Sequence, residues 1–280
     1  MWIYIIILAV TQGIAEFLPI SSSGHLTILG IIFDFPKQEI LTLSIILHAG
    51  SLLAILAFYF KLLLGFLHRD KLHLLLMIIV GSIPAGVAGV GIKLTSLDQE
   101  IFNEPLLIGL CFMITATLLR MSGKSSLSLR SAAQKELPPT PLEKITLKET
   151  LIIGVAQMFA ILPGLSRSGT TISAGVLSGV NREAAGVFSF LLAIPAIGGA
   201  AFLELLSLIR HGVPQGSENA TLAQMAVGLL LSATVSFCAL SWLTRLIKQG
   251  KLAFFSYYLY FAGIATIITR LVLAFISQKG

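Results

Sequence analysis

Charge is what this sequence has least of. Only 11% of its 280 residues are Asp, Glu, Lys or Arg, where a soluble domain carries roughly 25%. That shortage leaves too little polar surface for a soluble enzyme and excludes a disordered tail. Cysteine is almost as scarce. Cys111 and Cys238 both lie inside apolar runs, LIGLCFMIT and SFCALSW. Two such residues exclude a disulfide framework and are expected to pack as small hydrophobes. No HExxH, paired CxxC or GxxxxGK[ST] occurs, which removes a zincin-type metal site and a P-loop. Residues 1–10 lack a charged n-region and a small-residue cleavage site, so they are not read as a removable signal peptide.

What is present is apolar sequence, 56% of the chain. Runs with few breaks cover 1–19, 40–60, 72–92, 105–119, 150–180, 184–208, 222–243 and 252–276. At roughly 20 residues per crossing, six of these read as spanning helices. The runs at 1–19 and 150–180 differ. The first is followed by LPISSSGH at 18–25, and the second is split by LPGLSRSGTT at 162–171 into pieces too short to cross singly. Such pieces suit a helix–loop–helix that enters the membrane and returns on the same side.

The two odd runs are related to each other. Aligned 145 residues apart, QGIAEFLPISSSG (12–24) and QMFAILPGLSRSG (157–169) agree at five of thirteen positions: Gln12/Gln157, Ala15/Ala160, Ser21/Ser166, Ser23/Ser168 and Gly24/Gly169. Chance at about 7% per position gives roughly one. The expected fold is therefore an all-α polytopic membrane protein with an inverted-topology repeat, about six spanning helices plus two re-entrant helix–loop–helix segments. Residues 1–280 form one integral membrane domain, divided into a first repeat (1–119), a cytoplasmic linker (120–149) and a second repeat (150–280). The linker holds six basic and three acidic residues and the run Pro138-Pro139-Thr140-Pro141.

Charge orients this plan. With loops 61–71, 120–149, 178–183 and 244–251 inside, thirteen basic residues lie inside and four outside, a positive-inside bias. The +6 net charge therefore reports orientation, and no nucleic-acid partner is expected. The assignment holds only if 150–180 enters and leaves on one side. The first segment would be re-entrant from the opposite face, so that the two polar loops meet within the membrane.

Ionisable groups inside such segments are costly and mark function or a partner. Glu16 lies four residues after Gln12, on the same helix face. Arg167 occupies the position in the second loop that matches Ser22 in the first. A buried Glu16–Arg167 pair that only locks the loops is the plainer alternative. The surroundings favour a site. Ser21, Ser22, Ser23 and Gly24 in one loop, and Ser166, Ser168, Gly169 and Thr170 in the other, place hydroxyls and exposed N–H groups where half-helices begin. Arg167 adds a planar fork suited to phosphate oxygens. His25 directly follows SSSG, and histidine is the side chain that ionises near neutral pH, so Ser22 and His25 read as a nucleophile and its base. His48, in LSIILHAGS, has no companion motif and reads as structural, while His68, His73, His211 and Glu204 read as interfacial. Arg270, near the last helix end, is expected to snorkel.

QGIAEFLPISSSGH followed by LPGLSRSGTTIS resembles the two signature regions of the undecaprenyl-diphosphate phosphatase family, the bacitracin-resistance membrane proteins. The similarity extends over nearly the whole chain, including FSFLLAIPA at 188–196. The resemblance implies hydrolysis of C55 isoprenoid diphosphate to the monophosphate at the outer face of the bacterial cytoplasmic (inner) membrane, recycling the carrier for peptidoglycan synthesis. It places Gln12 and Glu16 on the family's (E/Q)xxxE element, Ser21, Ser22 and Ser23 on its serine-rich element, His25 on its histidine and Arg167 on its arginine. With the loop reading above, Glu16, Ser22, His25 and Arg167 are the expected catalytic residues, and Gln12, Ser21, Ser23, Gly24, Ser166, Ser168, Gly169 and Thr170 the expected substrate-binding ones. The resemblance also implies a divalent cation, Mg2+ or Ca2+, with Glu16 as its ligand. Gln12 stands where the family's (E/Q)xxxE element allows a second carboxylate, which weakens a metal mechanism here. The partners implied are the isoprenoid diphosphate lipid and membrane lipids, with a homodimer left open.

Two rival readings fit parts of the sequence. The other membrane phosphatase superfamily shares a PSGH-type element, but no histidine follows Ser166-Arg167 until His211 and no KxxxxxxRP precedes it. An inverted-repeat transporter or flippase of an anionic lipid or small anion would need Arg167 and the loops but not His25.

Overall fold

A computed structural model describes residues 2–33, 37–66, 71–95, 104–132, 140–211 and 221–277. Among them the chain is all-α, apart from a single isolated bridge between Thr140 and Val180. The helices are α1 (Trp2–Phe17), α2 (Ser22–Ile32), α3 (Lys37–Phe58), α4 (Phe60–Gly65), α5 (Leu72–Thr95), α6 (Pro105–Ala132), α7 (Leu147–Phe159), α8 (Arg167–Leu177), α9 (Arg182–His211), α10 (Leu222–Lys248) and α11 (Phe255–Ser277).

Among the described residues, five stretches are long and apolar enough to cross a membrane: Leu72–Ile92, Pro105–Lys124, Arg182–Leu203, Leu222–Lys248 and Leu252–Ile276. The sixth expected span, 40–60, falls on α3, a 22-residue helix that reaches about 33 Å at 1.5 Å per residue. Its stretch Leu43–Phe58 is apolar. The outward surface agrees with a lipid environment. On α5, Leu76, Ile79, Ile83, Val87 and Val90 are all exposed, and their three- and four-residue spacing makes one apolar stripe. A soluble protein does not present such a face to water.

The breaks fall where the polar loops lie. α1 has 16 residues and α2 has 11; α7 has 13 and α8 has 11. α7 begins in a capping box, with the Thr146 hydroxyl accepting from the Glu149 N–H and the Glu149 side chain accepting from the Thr146 N–H. α8 packs on α6, α7 and α9, and α1 packs on α2, α3 and α10. α5 packs on α7 as α10 packs on α1, and α6 lies along α11. Two of these seams depend on glycine. A Cβ on Gly154 would stand 2.5 Å from the Gly81 carbonyl oxygen, and one on Gly263 would stand 2.7 Å from that of Gly109. Small residues let helix backbones touch where lipid gives little hydrophobic drive.

The main core gathers around the break regions. Phe17, Phe112, Phe188, Phe190, Ile108, Ile153 and Ile172 are fully buried there, and the Phe17 and Phe190 rings meet edge to face at 6.0 Å.

Some expectations change. The segment 120–149 does not open as a loop, because α6 continues to Ala132. Cys111 is buried as expected, whereas Cys238 is exposed on α10, and both are free. Arg270 does not simply snorkel. Its Nε donates to Glu104 Oε1 at 3.1 Å, a half-exposed pair between α11 and the start of α6. His73 is engaged too, its Nε2 lying 2.9 Å from the Ile145 carbonyl. His68 and the side chains of Glu204 and His211 lie outside what is described.

Candidate active site

Both breaks end in the same local structure. Ser21 caps α2 by accepting from the Gly24 N–H at 3.3 Å, and Ser166 caps α8 by accepting from the Gly169 N–H at 3.1 Å. Each capping hydroxyl also meets the serine two residues on, Ser23 at 3.3 Å and Ser168 at 3.2 Å. The 145-residue offset seen in the sequence is thus an equivalence of hydrogen bonds. Ser21 differs in backbone: its φ of 72° makes it the only non-glycine residue with positive φ among the described ones. Such a conformation costs on the order of 1–3 kcal/mol and recurs at functional sites.

The loops interlock. Ser168 Oγ donates to the Leu18 carbonyl at 3.2 Å, and the Ser166 N–H donates to Thr115 Oγ1 on α6 at 3.1 Å. A Cβ on Gly24 would stand 2.7 Å from Phe112 and 2.9 Å from the Gly164 Cα, so that glycine is required by close approach. The first residues of the two half-helices, Ser22 of α2 and Arg167 of α8, converge on one carboxylate.

That carboxylate is Glu16, 8% exposed. Its Oε1 accepts from Arg167 Nη2 at 2.9 Å. Its Oε2 accepts from Ser22 Oγ at 2.7 Å and from Gln12 Nε2 at 3.1 Å. Arg167 also donates from Nη1 to the Ser189 carbonyl at 3.3 Å, which fixes the guanidinium plane. Ser22 is held at a buried anion that can accept its proton, the relation a serine nucleophile needs. Arg167 sits beside it with a charge suited to developing phosphoryl oxygens.

The expected Ser22–His25 pair does not form. His25 lies one turn further along α2, with Nδ1 2.7 Å from the Ser21 carbonyl and Nε2 2.6 Å from the Tyr258 hydroxyl of α11. A carbonyl only accepts, so Nδ1 carries the hydrogen and Nε2 of the neutral ring accepts from Tyr258. The ring stacks on Tyr258 at 5.7 Å and leans on Phe112 at 5.1 Å. His25 therefore bonds the Ser21 carbonyl and joins α2 to α11, while the ionisable side chain in contact with Ser22 is the Glu16 carboxylate.

His48, read as structural from sequence, is at the site. Its Nε2 lies 3.6 Å from Glu16 Oε2, and its Nδ1 is fixed at 2.7 Å from the Ser44 carbonyl. No nearby motif marked it, because α3 delivers it from a different part of the chain. Its one local signal is Ser44 four residues earlier, on the same helix face.

Thr170 is buried with its hydroxyl unpartnered, and so are Gln12 Oε1 and both amide atoms of Gln157. Buried polar atoms without partners are rare, and these cluster on the helices that form the two loops. The donor set does not fit a divalent cation held by the protein. Magnesium and calcium take six or more oxygens, largely carboxylate, carbonyl and water. The one carboxylate here is already engaged by Arg167, Ser22 and Gln12, and Gln12 turns its NH2 rather than its oxygen toward it. Among the described residues no three His, Cys, Asp or Glu come together as a metal-binding group.

Fold and site together define a helical multi-pass membrane protein whose two broken segments bring a serine, a carboxylate and an arginine to one buried point. Residues 5–265 match the family described as bacitracin resistance protein BacA. The chain belongs to that family. It is 38% identical to the undecaprenyl-diphosphatase of Rhodopirellula baltica, covering 96% of this chain and 98% of that one. It is 35% identical to the undecaprenyl-diphosphatase of Carboxydothermus hydrogenoformans over 95% of this chain and 96% of that one. It is 34% identical to that of Methanosphaera stadtmanae over 96% and 98%.

Proposed function

We propose that this protein is an undecaprenyl-diphosphate phosphatase, converting C55 isoprenoid diphosphate and water to the monophosphate and inorganic phosphate. Relatives of that name along the full chain support the activity. The observation that carries the chemistry is the Ser22–Glu16–Arg167 contact, assembled from two loops at 2.7 and 2.9 Å. A transporter would need the arginine but has no use for a serine hydrogen-bonded to a buried carboxylate.

In this mechanism the prenyl tail stays in lipid while the diphosphate lies between the loops. Arg167 and the N–H groups at the starts of α2 and α8 hold the terminal phosphoryl oxygens, which is most of what phosphoryl transfer requires. Ser22 Oγ attacks the terminal phosphorus, its bond to phosphorus forms, and the bond to the bridging oxygen breaks. The hydroxyl proton passes to Glu16, and the lipid monophosphate leaves. Water then attacks the phosphoserine, the bond from phosphorus to Ser22 Oγ breaks as Glu16 returns its proton to that oxygen, and inorganic phosphate leaves with both hydrogens of the water. Gln12, Ser21, Ser23, Gly24, Ser166, Ser168, Gly169 and Thr170 shape and line this cradle. No step passes through a metal.

The same proposal extends to placement. The halves 1–119 and 150–280 are inverted repeats joined through 120–149, with the site opening toward the outer face of the cytoplasmic membrane. The basic residues of the loops support this orientation.

The test is phosphate release from farnesyl or undecaprenyl diphosphate by purified protein, with the phospho-enzyme trapped and mapped by mass spectrometry. Phosphate on Ser22, and its loss in Ser22→Ala, is the expected result. Phosphate on His25, or full activity in Ser22→Ala, ends the serine mechanism. No release by folded wild type ends the phosphatase reading and restores the transporter.

A further inference from the structure

A second polar feature lies away from the Glu16 site, where α6, the end of α10 and the start of α11 leave an open groove of about 800 Å³. Arg120 and Lys124, one helical turn apart on α6, line it together with Lys251, which follows α10. The lining residues include no acid, and none of these three cations forms an ion pair among the described residues. Trp242, Phe254, Phe255 and Tyr257 line the groove beside Gly123, Leu246, Gly250 and Ala253. Trp242 is 52% exposed, Phe254 74% and Tyr257 62%.

These groups are ordered with respect to one another. The Arg120 guanidinium lies over the Tyr257 ring, 5.1 Å from its centre, a cation–π contact between two residues that line the groove. Trp242 meets Phe255 and Phe254 meets Tyr257 edge to face. The floor is narrow because α6 approaches closely: a Cβ on Gly123 would stand 2.8 Å from that of Ala253. Three cations at the ends of spanning helices and a band of Trp, Phe and Tyr beside them are the chemistry of the lipid headgroup level. The loops involved are ones that the charge distribution assigns to the inner face, where anionic lipid is concentrated.

We infer that this groove is a binding site for one anionic phospholipid, its phosphate between Arg120, Lys124 and Lys251 and an acyl chain along Trp242, Phe254 and Tyr257. The assignment rests on charge complementarity and does not depend on the catalytic reading. A zwitterionic lipid would bring its own cation toward three others, so the groove discriminates by net charge.

Purified full-length protein in detergent is titrated with phosphatidylglycerol or phosphatidylcholine, and bound lipid is counted by native mass spectrometry beside a melting curve. Wild type is expected to retain one phosphatidylglycerol at least tenfold more strongly than phosphatidylcholine and to melt higher with it. The triple variant Arg120→Gln, Lys124→Gln, Lys251→Gln is expected to lose that preference while melting like wild type without lipid. Equal retention of both lipids by wild type overturns the proposal, as does undiminished phosphatidylglycerol binding by the variant. A variant that melts lower without lipid is replaced by Lys124→Gln, Lys251→Gln, which keeps the Arg120–Tyr257 contact and is held to the same expectation. Displacement of phosphatidylglycerol by equimolar undecaprenyl monophosphate also overturns it, since the groove would then belong to the prenyl carrier.

Discussion

Arg167 Nη2 donates to Glu16 Oε1 at 2.9 Å across 151 residues of sequence, with both side chains largely buried. This contact ties the two broken segments together and sets the polarity of the site. Removing either partner strands the other charge, a loss of about 3–5 kcal/mol in buried pairs. Arg167→Ala and Glu16→Gln should each lower the melting temperature and cut phosphate release by at least about a hundredfold. Arg167→Lys should restore stability better than activity, because an ammonium cannot bridge Glu16 and the Ser189 carbonyl with one planar group.

Ser22 and His25 are predicted to separate in assays. Ser22→Ala should abolish turnover with little change in melting temperature. His25→Gln should leave measurable activity, and Tyr258→Phe should cause a similar modest loss. A double-mutant cycle should find His25 and Tyr258 coupled, since each is the other's partner at 2.6 Å. A His25 loss as deep as that of Ser22, without coupling to Tyr258, would return the histidine to the chemical step.

His48 faces Glu16 from α3, so it should matter through the carboxylate. His48→Phe is expected to lower kcat by about ten- to a hundredfold, in the range of general acid–base effects, with KM nearly unchanged. His48→Gln retains a hydrogen-bonding tip and should recover part of the loss. Unaltered kinetics in His48→Phe would show the 3.6 Å approach to be incidental.

Gly154 tests the packing independently of chemistry. Its added methyl would stand 2.5 Å from a backbone carbonyl, which no side-chain rotation relieves. Gly154→Ala should destabilise by about 1–3 kcal/mol, read as a lower melting temperature. Gly179→Ala, at φ 101° but with open space for the methyl, isolates backbone strain from collision and should cost less.

Chelation offers a test of the donor set. With one carboxylate already engaged by Arg167, Ser22 and Gln12, EDTA should leave the melting temperature of the substrate-free protein unchanged. A downward shift would reveal a structural cation and overturn the reading of Glu16 as fully engaged by protein groups.

Much of the site was legible because membrane sequences make polarity conspicuous. Ser21 and Ser166, Gly24 and Gly169 announce the two caps by type and offset, and cap geometry is local. Glu16 and Gln12 share a face by helical periodicity alone. His48 was not legible, because its contact crosses from α3 to α1 and periodicity within one helix carries no information about a partner on another. His25 misled for the converse reason. Nearness to Ser22 in sequence suggested a pair, but one helical turn points the ring toward Tyr258.

The scarcity of charge by itself determined that the chain lives in a membrane, where its helices lie, where two of them break, and which charges orientation leaves unexplained. These follow from local rules: residue hydropathy, helix period and the chemistry of caps. Only the tertiary structure decided what each unexplained charge touches. Glu16 has Arg167, Ser22, Gln12 and His48 around it because two interlocked loops and a third helix meet there. Such a meeting depends on how glycine seams let whole helices approach, a property of packed surfaces that no single stretch of sequence contains.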